Sequence, residues 1–172
     1  MKKTQILPHT SHPELEEQAL ALRKNGRLTE ATNLCQEIID NNPANFKALH
    51  LLGTIAIETQ QYEQGVEFLM QALEIFPLYV EAYINLGVAL EKLELFEDAQ
   101  FCFQKSIEIE PLQFSGYHNL ASFYKKQDRW ADVVSILEDG IEAGEKYRLE
   151  LNTDDNTLEP SFTDLYFRLG LI

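Results

Sequence analysis

Residues 82–90, AYINLGVAL, place an aromatic residue, two leucines and a glycine at helical spacing. A glycine inside a helix costs about 1 kcal/mol relative to alanine, because it loses more backbone entropy on folding. Gly87 therefore indicates a point where another helix comes close. A similar stretch, ALHLLGTIA, occurs earlier in the chain at residues 48–56. The feature is thus part of an internal repeat.

The period of this repeat is the equal spacing from Pro43 to Pro77 and from Pro77 to Pro111. Each proline follows a helical pattern, and a single copy cannot bury its apolar face alone. Four copies are recognised, the first and last being the weakest. We expect an N-terminal arm, four repeats, an extension and a C-terminal helix that either covers the stack or begins a fifth copy, over residues 1–12, 13–45, 46–79, 80–113, 114–144, 145–160 and 161–172.

Each copy divides into a helix A and a helix B joined by a short polar turn. In the third copy, i, i+3, i+4, i+7 spacing predicts two packed faces, formed by Tyr83, Leu86, Gly87 and Leu90 in helix A and by Phe96, Ala99, Phe103 and Ile107 in helix B. Gly53 and Gly87 are predicted to lie where helix A meets its own helix B, and Ala19 and Ala121 occupy the same position in the other copies. A larger residue there should overpack the interface.

This pattern and period resemble the tetratricopeptide repeat over residues 13–144, most strongly in the two central copies. The resemblance implies an all-α αα-solenoid, a right-handed superhelix in which the A helices line the concave side. The end copies depart from the pattern. Leu15 stands in the aromatic position of the first copy, and Glu145 replaces the proline after the fourth. Such departures are typical of capping repeats.

Composition limits the classes of function. The net charge of −14 disfavours nucleic acid and anionic membrane surfaces as partners. The chain shows no membrane-spanning run and no signal-peptide pattern in its first residues, so we expect a cytoplasmic protein. Cys35 and Cys102 fall within helical patterns and are expected to be reduced, buried thiols.

No catalytic or metal-binding constellation emerges from the sequence. His50 and His118 occupy equivalent positions two repeats apart, a separation of roughly 20 Å that prevents them from sharing a metal ion. The segment NTDDN at residues 152–156 has part of a calcium-loop pattern but lacks its central glycine and closing glutamate. We therefore expect a non-catalytic protein with no metal and no cofactor.

The resemblance implies that A-helix side chains facing away from helix B line a groove. This groove holds six basic and five acidic residues, a net charge of +1, whereas the rest of the chain has a net charge of −15. The candidate peptide-binding residues are His50, Thr54, Asn85, Val88, Lys92, His118, Asn119, Ser122, Lys125 and Lys126.

Asn85 and Asn119 occupy the same position in successive repeats, and amide side chains can pair with a peptide backbone. This is similar to the short asparagine ladder in the repeat domains of O-linked N-acetylglucosamine transferases. The alternative is that asparagine is merely common at this position of the family. The basic end of the groove either holds a carboxylate or is a solvated surface. The clamp of chaperone-binding arrays is not expected, since Glu16 and Leu20 replace its first residues.

Three functions remain open from the sequence. The first is an adaptor that binds a peptide or helix of a partner protein. The second is the substrate-recruiting domain of a larger transferase, because residues 19–56 resemble the openings of repeat domains fused to glycosyltransferases or sulfotransferases. The third is a small acidic secretion chaperone. An apolar face near the C-terminus is a candidate homodimer or domain contact, formed by Leu165, Tyr166, Leu169 and Ile172.

Overall fold

The computed structural model describes residues 13–151, except for the side chains of residue 145 and residues 147–151. Over this range the chain forms eight α-helices and no strand: α1 Pro13–Lys24, α2 Leu28–Asn41, α3 Phe46–Glu58, α4 Tyr62–Ile75, α5 Val80–Lys92, α6 Phe96–Ile109, α7 Phe114–Lys126 and α8 Trp130–Leu151. The expected arm at residues 1–12 and C-terminal helix at residues 161–172 lie outside the described residues. Helix α8 continues to Leu151, into the segment expected to be an extension.

The helices form four antiparallel hairpins, α1/α2, α3/α4, α5/α6 and α7/α8, and each hairpin packs against the next. The A helices of successive hairpins also contact one another, α1 with α3, α3 with α5 and α5 with α7. Within residues 13–151, successive B helices make few or no contacts with one another. The A helices therefore form the inner layer of a curved stack, and the B helices form its outer layer.

The four turns between helix A and helix B share one left-handed residue at the same position of each repeat. These residues are Gly26, Gln60, Glu94 and Asp128, with φ values of 74°, 62°, 61° and 57°. In each turn the next residue donates its N–H to the carbonyl group five positions earlier, as from Gln61 to Ala56 at 2.8 Å. This is the bonding that ends a helix on a left-handed residue, which glycine adopts without strain.

We predict that Gln60→Gly stabilises the protein by about 0.5–1 kcal/mol. A left-handed conformation costs an L-residue about 1–2 kcal/mol, and glycine avoids this cost. Part of the resulting stabilisation is lost, because glycine also gives the unfolded chain more conformational entropy. The matched control is Gln64→Gly, because Gln64 is an exposed residue inside α4, where glycine costs about 1 kcal/mol. Urea denaturation measures both. A destabilised Gln60→Gly variant would contradict the interpretation of this turn.

The predicted role of the repeated glycines is confirmed by the packing. A Cβ built on Gly53 would lie 2.6 Å from Leu69 Cγ, and one on Gly87 would lie 2.6 Å from Phe103 Cε1, both in the same hairpin's helix B. The Cβ built on Gly53 would also lie 3.2 Å from the carbonyl oxygen of Gly65, so the backbones of the two helices are close at this point. Ala19 and Ala121 are fully buried. Small residues therefore set the distance between helices A and B.

Within residues 13–151 the buried apolar side chains form two clusters. One joins the first two hairpins and contains Ala19, Cys35, Ile38 and Leu51 among others; the second runs from Leu69 through α5–α8. Phe96 lies on the predicted face of helix B, with its ring 6.3 Å from that of Phe123. It is nevertheless 44% exposed, because it is the first residue of α6 and lies at the edge of the hairpin.

Both cysteines are buried, as expected, and burial raises the pKa of each thiol to about 12. A thiol with so high a pKa holds almost no reactive thiolate at neutral pH. Among the helices of residues 13–151, none has the length and apolar character needed to cross a membrane.

Candidate functional site

All ten predicted groove residues lie on A helices, on α3, α5 and α7. They therefore belong to the inner layer of the stack. The depth of this layer differs from place to place, since Thr54 is buried, Val88 is half-buried against the core and Lys92 is exposed.

A pocket of about 310 Å³ opens on this inner layer between α1 and α3. Its floor is apolar and belongs to the first core cluster: Ala19, Cys35, Ile38, Ala48 and Leu51. Its mouth carries Leu20, which is 37% exposed, together with polar groups contributed by Glu16, Glu17, Arg23, Lys47, His50 and Tyr79. Of the predicted binding residues, His50 lines this pocket.

Charged side chains at the mouth are held by neighbouring repeats. Glu16 accepts a hydrogen bond from the amide of Asn45 at 2.8 Å and lies 3.3 Å from Lys47 Nζ. Arg23 donates two hydrogen bonds to one oxygen of Glu58, from Nε at 3.0 Å and from Nη2 at 2.7 Å. Each ion pair joins α1 to α3 or its first turn. The pairs orient the side chains around the pocket more than they stabilise the fold, because exposed ion pairs contribute about 1 kcal/mol or less.

His50 is the centre of a polar cluster that links α3 to α5. Its Nε2 is 2.8 Å from Asn85 Nδ2, and its Nδ1 is 3.2 Å from the hydroxyl oxygen of Tyr79. Asn85 Nδ2 also donates to Thr54 Oγ1 at 3.2 Å, and Thr54 Oγ1 donates to the His50 carbonyl oxygen at 2.8 Å. The second repeat is therefore tied to the third through side chains of the groove itself.

This cluster requires a neutral imidazole. Burial, and secondarily the positive charge of Arg23, lowers the pKa of His50 to about 4. With Asn85 Nδ2 as the donor to Nε2, the neutral ring carries its proton on Nδ1, which faces the Tyr79 oxygen. The Tyr79 hydroxyl hydrogen then points away from His50. Tyr79 also lines the pocket.

The two asparagines of the predicted ladder differ in their surroundings. Asn85 directs its amide hydrogens at His50 and Thr54, whereas Asn119 donates to the carbonyl oxygen of Ser115 at 2.7 Å. Both amide hydrogens of Asn85 therefore have partners within the protein, whereas the bond to Ser115 uses one of the two hydrogens of Asn119. The ladder stays a prediction, in which Asn85 would accept from a peptide N–H group through its side-chain oxygen.

The predicted basic end of the groove is partly neutralised. Lys126 Nζ lies 2.6 Å from Glu91 Oε1, which pairs α7 with α5. Lys125 Nζ lies 5.9 Å from the ring centre of Trp130, within cation–π distance. His118 and Ser122 also lie on α7, and the His118 ring is 6.3 Å from that of Phe114.

One set of contacts in the site was not predicted from the sequence. The residue two positions before the first A-helix groove position recurs as Asn45, Tyr79 and Gln113, and the first two bond to the repeat before them, at Glu16 and His50. At the same sequence separation, the residue opposite Gln113 is Ile84, whose aliphatic side chain cannot form a hydrogen bond. Gln113 Oε1 is accordingly buried without a hydrogen-bond partner. The signal in the sequence that could have predicted these bonds is that the two pairs, Asn45 with Glu16 and Tyr79 with His50, have the same sequence separation.

Other predicted features lie beyond this region or lack a structural counterpart. Leu165, Tyr166, Leu169 and Ile172 lie outside the described residues, as does the segment at residues 152–156. Within the part of the chain that the structure describes, no group of three or more His, Cys, Asp or Glu side chains is arranged to hold a metal ion.

The fold and the inner-layer pocket define the class of this protein, an all-α solenoid of helical hairpins with a polar and apolar groove. Models of the tetratricopeptide repeat match residues 22–74 and residues 80–111. The chain contains tetratricopeptide repeats, as its sequence predicted.

A curated relative is the UDP-N-acetylglucosamine–peptide N-acetylglucosaminyltransferase of Caenorhabditis elegans, which is 29% identical over 76 residues. The match covers 44% of this chain and 7% of that enzyme, so the chain spans only a small part of its relative.

Solved structures share the fold. MamA from Desulfovibrio magneticus RS-1, residues 41 to the end, has a TM-score of 0.64 at 22% identity, with 82% of this chain and 76% of that chain covered. Another crystal structure of MamA has a TM-score of 0.69 at 17% identity and the same coverage. The first tetratricopeptide domain of Spaghetti (RPAP3), bound to the HSP90 peptide SRMEEVD, has a TM-score of 0.62 at 20% identity, with 66% of this chain and 90% of that chain covered.

Proposed function

We propose that the protein is an interaction module whose concave face binds an extended peptide of a partner protein. The observation that carries this proposal is the 310 Å³ pocket between α1 and α3, which combines an apolar floor with a polar mouth. Its size is near the lower limit of ligand pockets, about 300–1,000 Å³, and therefore suits one or two side chains of a peptide.

Each part of the pocket would make a distinct contribution to peptide binding. The floor, and the exposed part of Leu20, would bury an aliphatic side chain of the peptide. The Tyr79 hydroxyl would hydrogen-bond its backbone, and the side-chain oxygen of Asn85, beside the pocket on α5, would accept from a backbone N–H further along the groove. Because a free peptide loses conformational freedom on binding, we expect an affinity on the order of micromolar. The predicted residues on α7 would extend the contact along the groove.

The test begins with peptides selected from a random phage-displayed library on the immobilised full chain. Binding of a labelled selected peptide is then measured by fluorescence anisotropy to two variants, Leu20→Glu and Met70→Glu. Both replace an exposed apolar side chain with a carboxylate, but Leu20 is on the inner helix α1 and Met70, 52% exposed, is on the outer helix α4.

We predict that Leu20→Glu weakens binding about tenfold or more, because burying an aliphatic side chain contributes about 1.5–3 kcal/mol. Met70→Glu should leave the affinity unchanged. If binding instead fails with Met70→Glu and survives with Leu20→Glu, the binding surface is the convex face.

A second candidate is a substrate-recruiting domain of a larger transferase, the role suggested by the glycosyltransferase relative. It uses the same groove, and the ligand would be the segment of a protein substrate that is to be modified. The open reading frame that encodes residues 1–172 distinguishes the two functions. A transferase domain in the same frame supports the second candidate, and its absence leaves the adaptor.

A further inference from the structure

The segment at residues 1–12, MKKTQILPHTSH, differs in chemistry from the rest of the chain. Its charged side chains are Lys2 and Lys3, and it contains no Asp or Glu. The remainder, residues 13–172, carries 12 basic and 28 acidic side chains, a net charge of −16. The segment also holds two adjacent aliphatic residues, Ile6 and Leu7. It is therefore a basic and apolar ligand attached to an acidic body.

The point of attachment lies beside the pocket. Helix α1 starts at Pro13, and Glu16, Glu17 and Leu20 at the pocket mouth follow within its first two turns. At about 1.5 Å per residue, Leu20 is about 10 Å from Pro13 along the helix. The step from Leu7 to Pro13 reaches up to about 20 Å when extended. Leu7 can therefore reach the pocket floor with length to spare, and Lys2 and Lys3 can reach its rim.

The chemistry of the pocket matches that of the segment. Buried Ile38 and Leu51 offer an aliphatic side chain an apolar floor. The pocket lining is balanced in charge, with Glu16 and Glu17 against Arg23 and Lys47, and Glu58, which pairs with Arg23 beside the mouth, adds one negative charge. A lysine near this rim is attracted by the rim and by the acidic body behind it.

We propose that residues 1–12 bind in the α1/α3 pocket of their own chain, with Ile6 or Leu7 on the floor and Lys2 and Lys3 near the carboxylates. A covalent tether gives the segment an effective concentration in the millimolar range, so even weak contacts suffice. The segment would then compete with a partner peptide. The competition rests on the proposed function, whereas the docking itself does not.

Docking is tested without any partner. A nitroxide spin label is attached to a Thr4→Cys variant of the full ¹⁵N-labelled chain; Cys35 and Cys102 do not react because both thiols are buried. We predict that amide signals near the pocket, such as those of Leu20, Lys47 and Leu51, lose most of their intensity. Signals of α7, which lies two hairpins further along the stack than α3, should be preserved. Loss that is absent, or that is spread evenly over all A helices, overturns the proposal.

A matched pair of variants tests the aliphatic contact. Ile6→Ser with Leu7→Ser, made in the Thr4→Cys chain, should abolish the loss of intensity at the pocket. Gln5→Ser with Thr10→Ser makes the same number of changes at polar positions and should retain it. A second copy is tested by mixing spin-labelled chain without ¹⁵N with ¹⁵N chain without spin label. Intensity loss at the pocket in this mixture overturns binding within one chain.

Competition separates this inference from the proposed function. If the segment occupies the pocket for about three quarters of the time, the Ile6→Ser, Leu7→Ser variant should bind a selected peptide about fourfold more tightly. Spin-label effects at the pocket together with peptides that do not respond to Leu20→Glu would support docking and remove the proposed function. Peptide binding that responds to Leu20→Glu without spin-label effects would support only the proposed function.

Discussion

Replacing Phe103 with alanine is expected to lower the free energy of unfolding by about 3–5 kcal/mol, the range for truncating a buried phenylalanine. Phe103 is 1% exposed and lies in the second core cluster, where its ring contacts Gly87 and faces Phe123 at 5.7 Å. The ring thus fills the space between α5, α6 and α7, and its loss leaves a cavity. Urea denaturation followed by circular dichroism measures the change.

The matched control is Phe101→Ala on the same helix. Phe101 is 55% exposed, so the same truncation should cost less than about 1 kcal/mol. Equal losses in the two variants would show that Phe103 is not the residue that holds these hairpins together.

The contact between Phe103 and Gly87 also predicts that the effect of Gly87→Ala on stability changes sign when Phe103 is truncated. In the wild-type chain, Gly87→Ala should destabilise, because the added Cβ lies 2.6 Å from a ring that has no room to move. In the Phe103→Ala background that conflict is gone, and the higher helix propensity of alanine should stabilise by about 1 kcal/mol. Stabilisation by Gly87→Ala in the wild-type chain would contradict the overpacking argument.

The second large effect is a loss of stability at acid pH caused by His50. The pKa of His50 is about 4 in the folded protein, against an ordinary value of 6.5. Between these values the unfolded chain binds a proton that the folded protein does not, so stability falls as the pH falls. The full contribution is present above pH 6.5, and about 3 kcal/mol of it is lost by pH 4.

The comparison variant is His50→Gln, since glutamine does not titrate. This variant starts from a lower stability, because the bonds to Asn85 and Tyr79 are changed. Its own loss between about pH 7.5 and pH 4 comes from the carboxylates and should be about 3 kcal/mol smaller than that of the wild type. Parallel curves for the two proteins would mean that His50 titrates normally in the folded state.

Much of the fold could be predicted from periodicity. The equal spacing of Pro43, Pro77 and Pro111 located the repeats, and apolar spacing located two helices in each. Gly53 and Gly87 were assigned to contacts with helix B because a helical glycine needs a packing reason, and the structure confirms those contacts. These features depend on residues close in sequence, which a local pattern records.

The candidate site was predicted less completely. The inner position of the A helices followed from the family resemblance. Most of the predicted binding residues, however, lie on α5 and α7. The pocket lies one repeat earlier, between α1 and α3, and depends on Tyr79, a residue outside helix A. A side chain that reaches back to the preceding repeat, as Tyr79 does to His50, leaves no periodic signal of hydrophobicity.

The sequence by itself determined the class of fold, the number of described hairpins and the small residues that let them pack, because all three follow from spacings along one helix or between copies. Only the tertiary structure decided that Gln60, Glu94 and Asp128 are left-handed, that Asn85 bonds to His50, and that a pocket opens at the first two repeats. The reason is physical: these features arise where one repeat meets the next, and the energy of that interface depends on pairs of side chains distant in sequence.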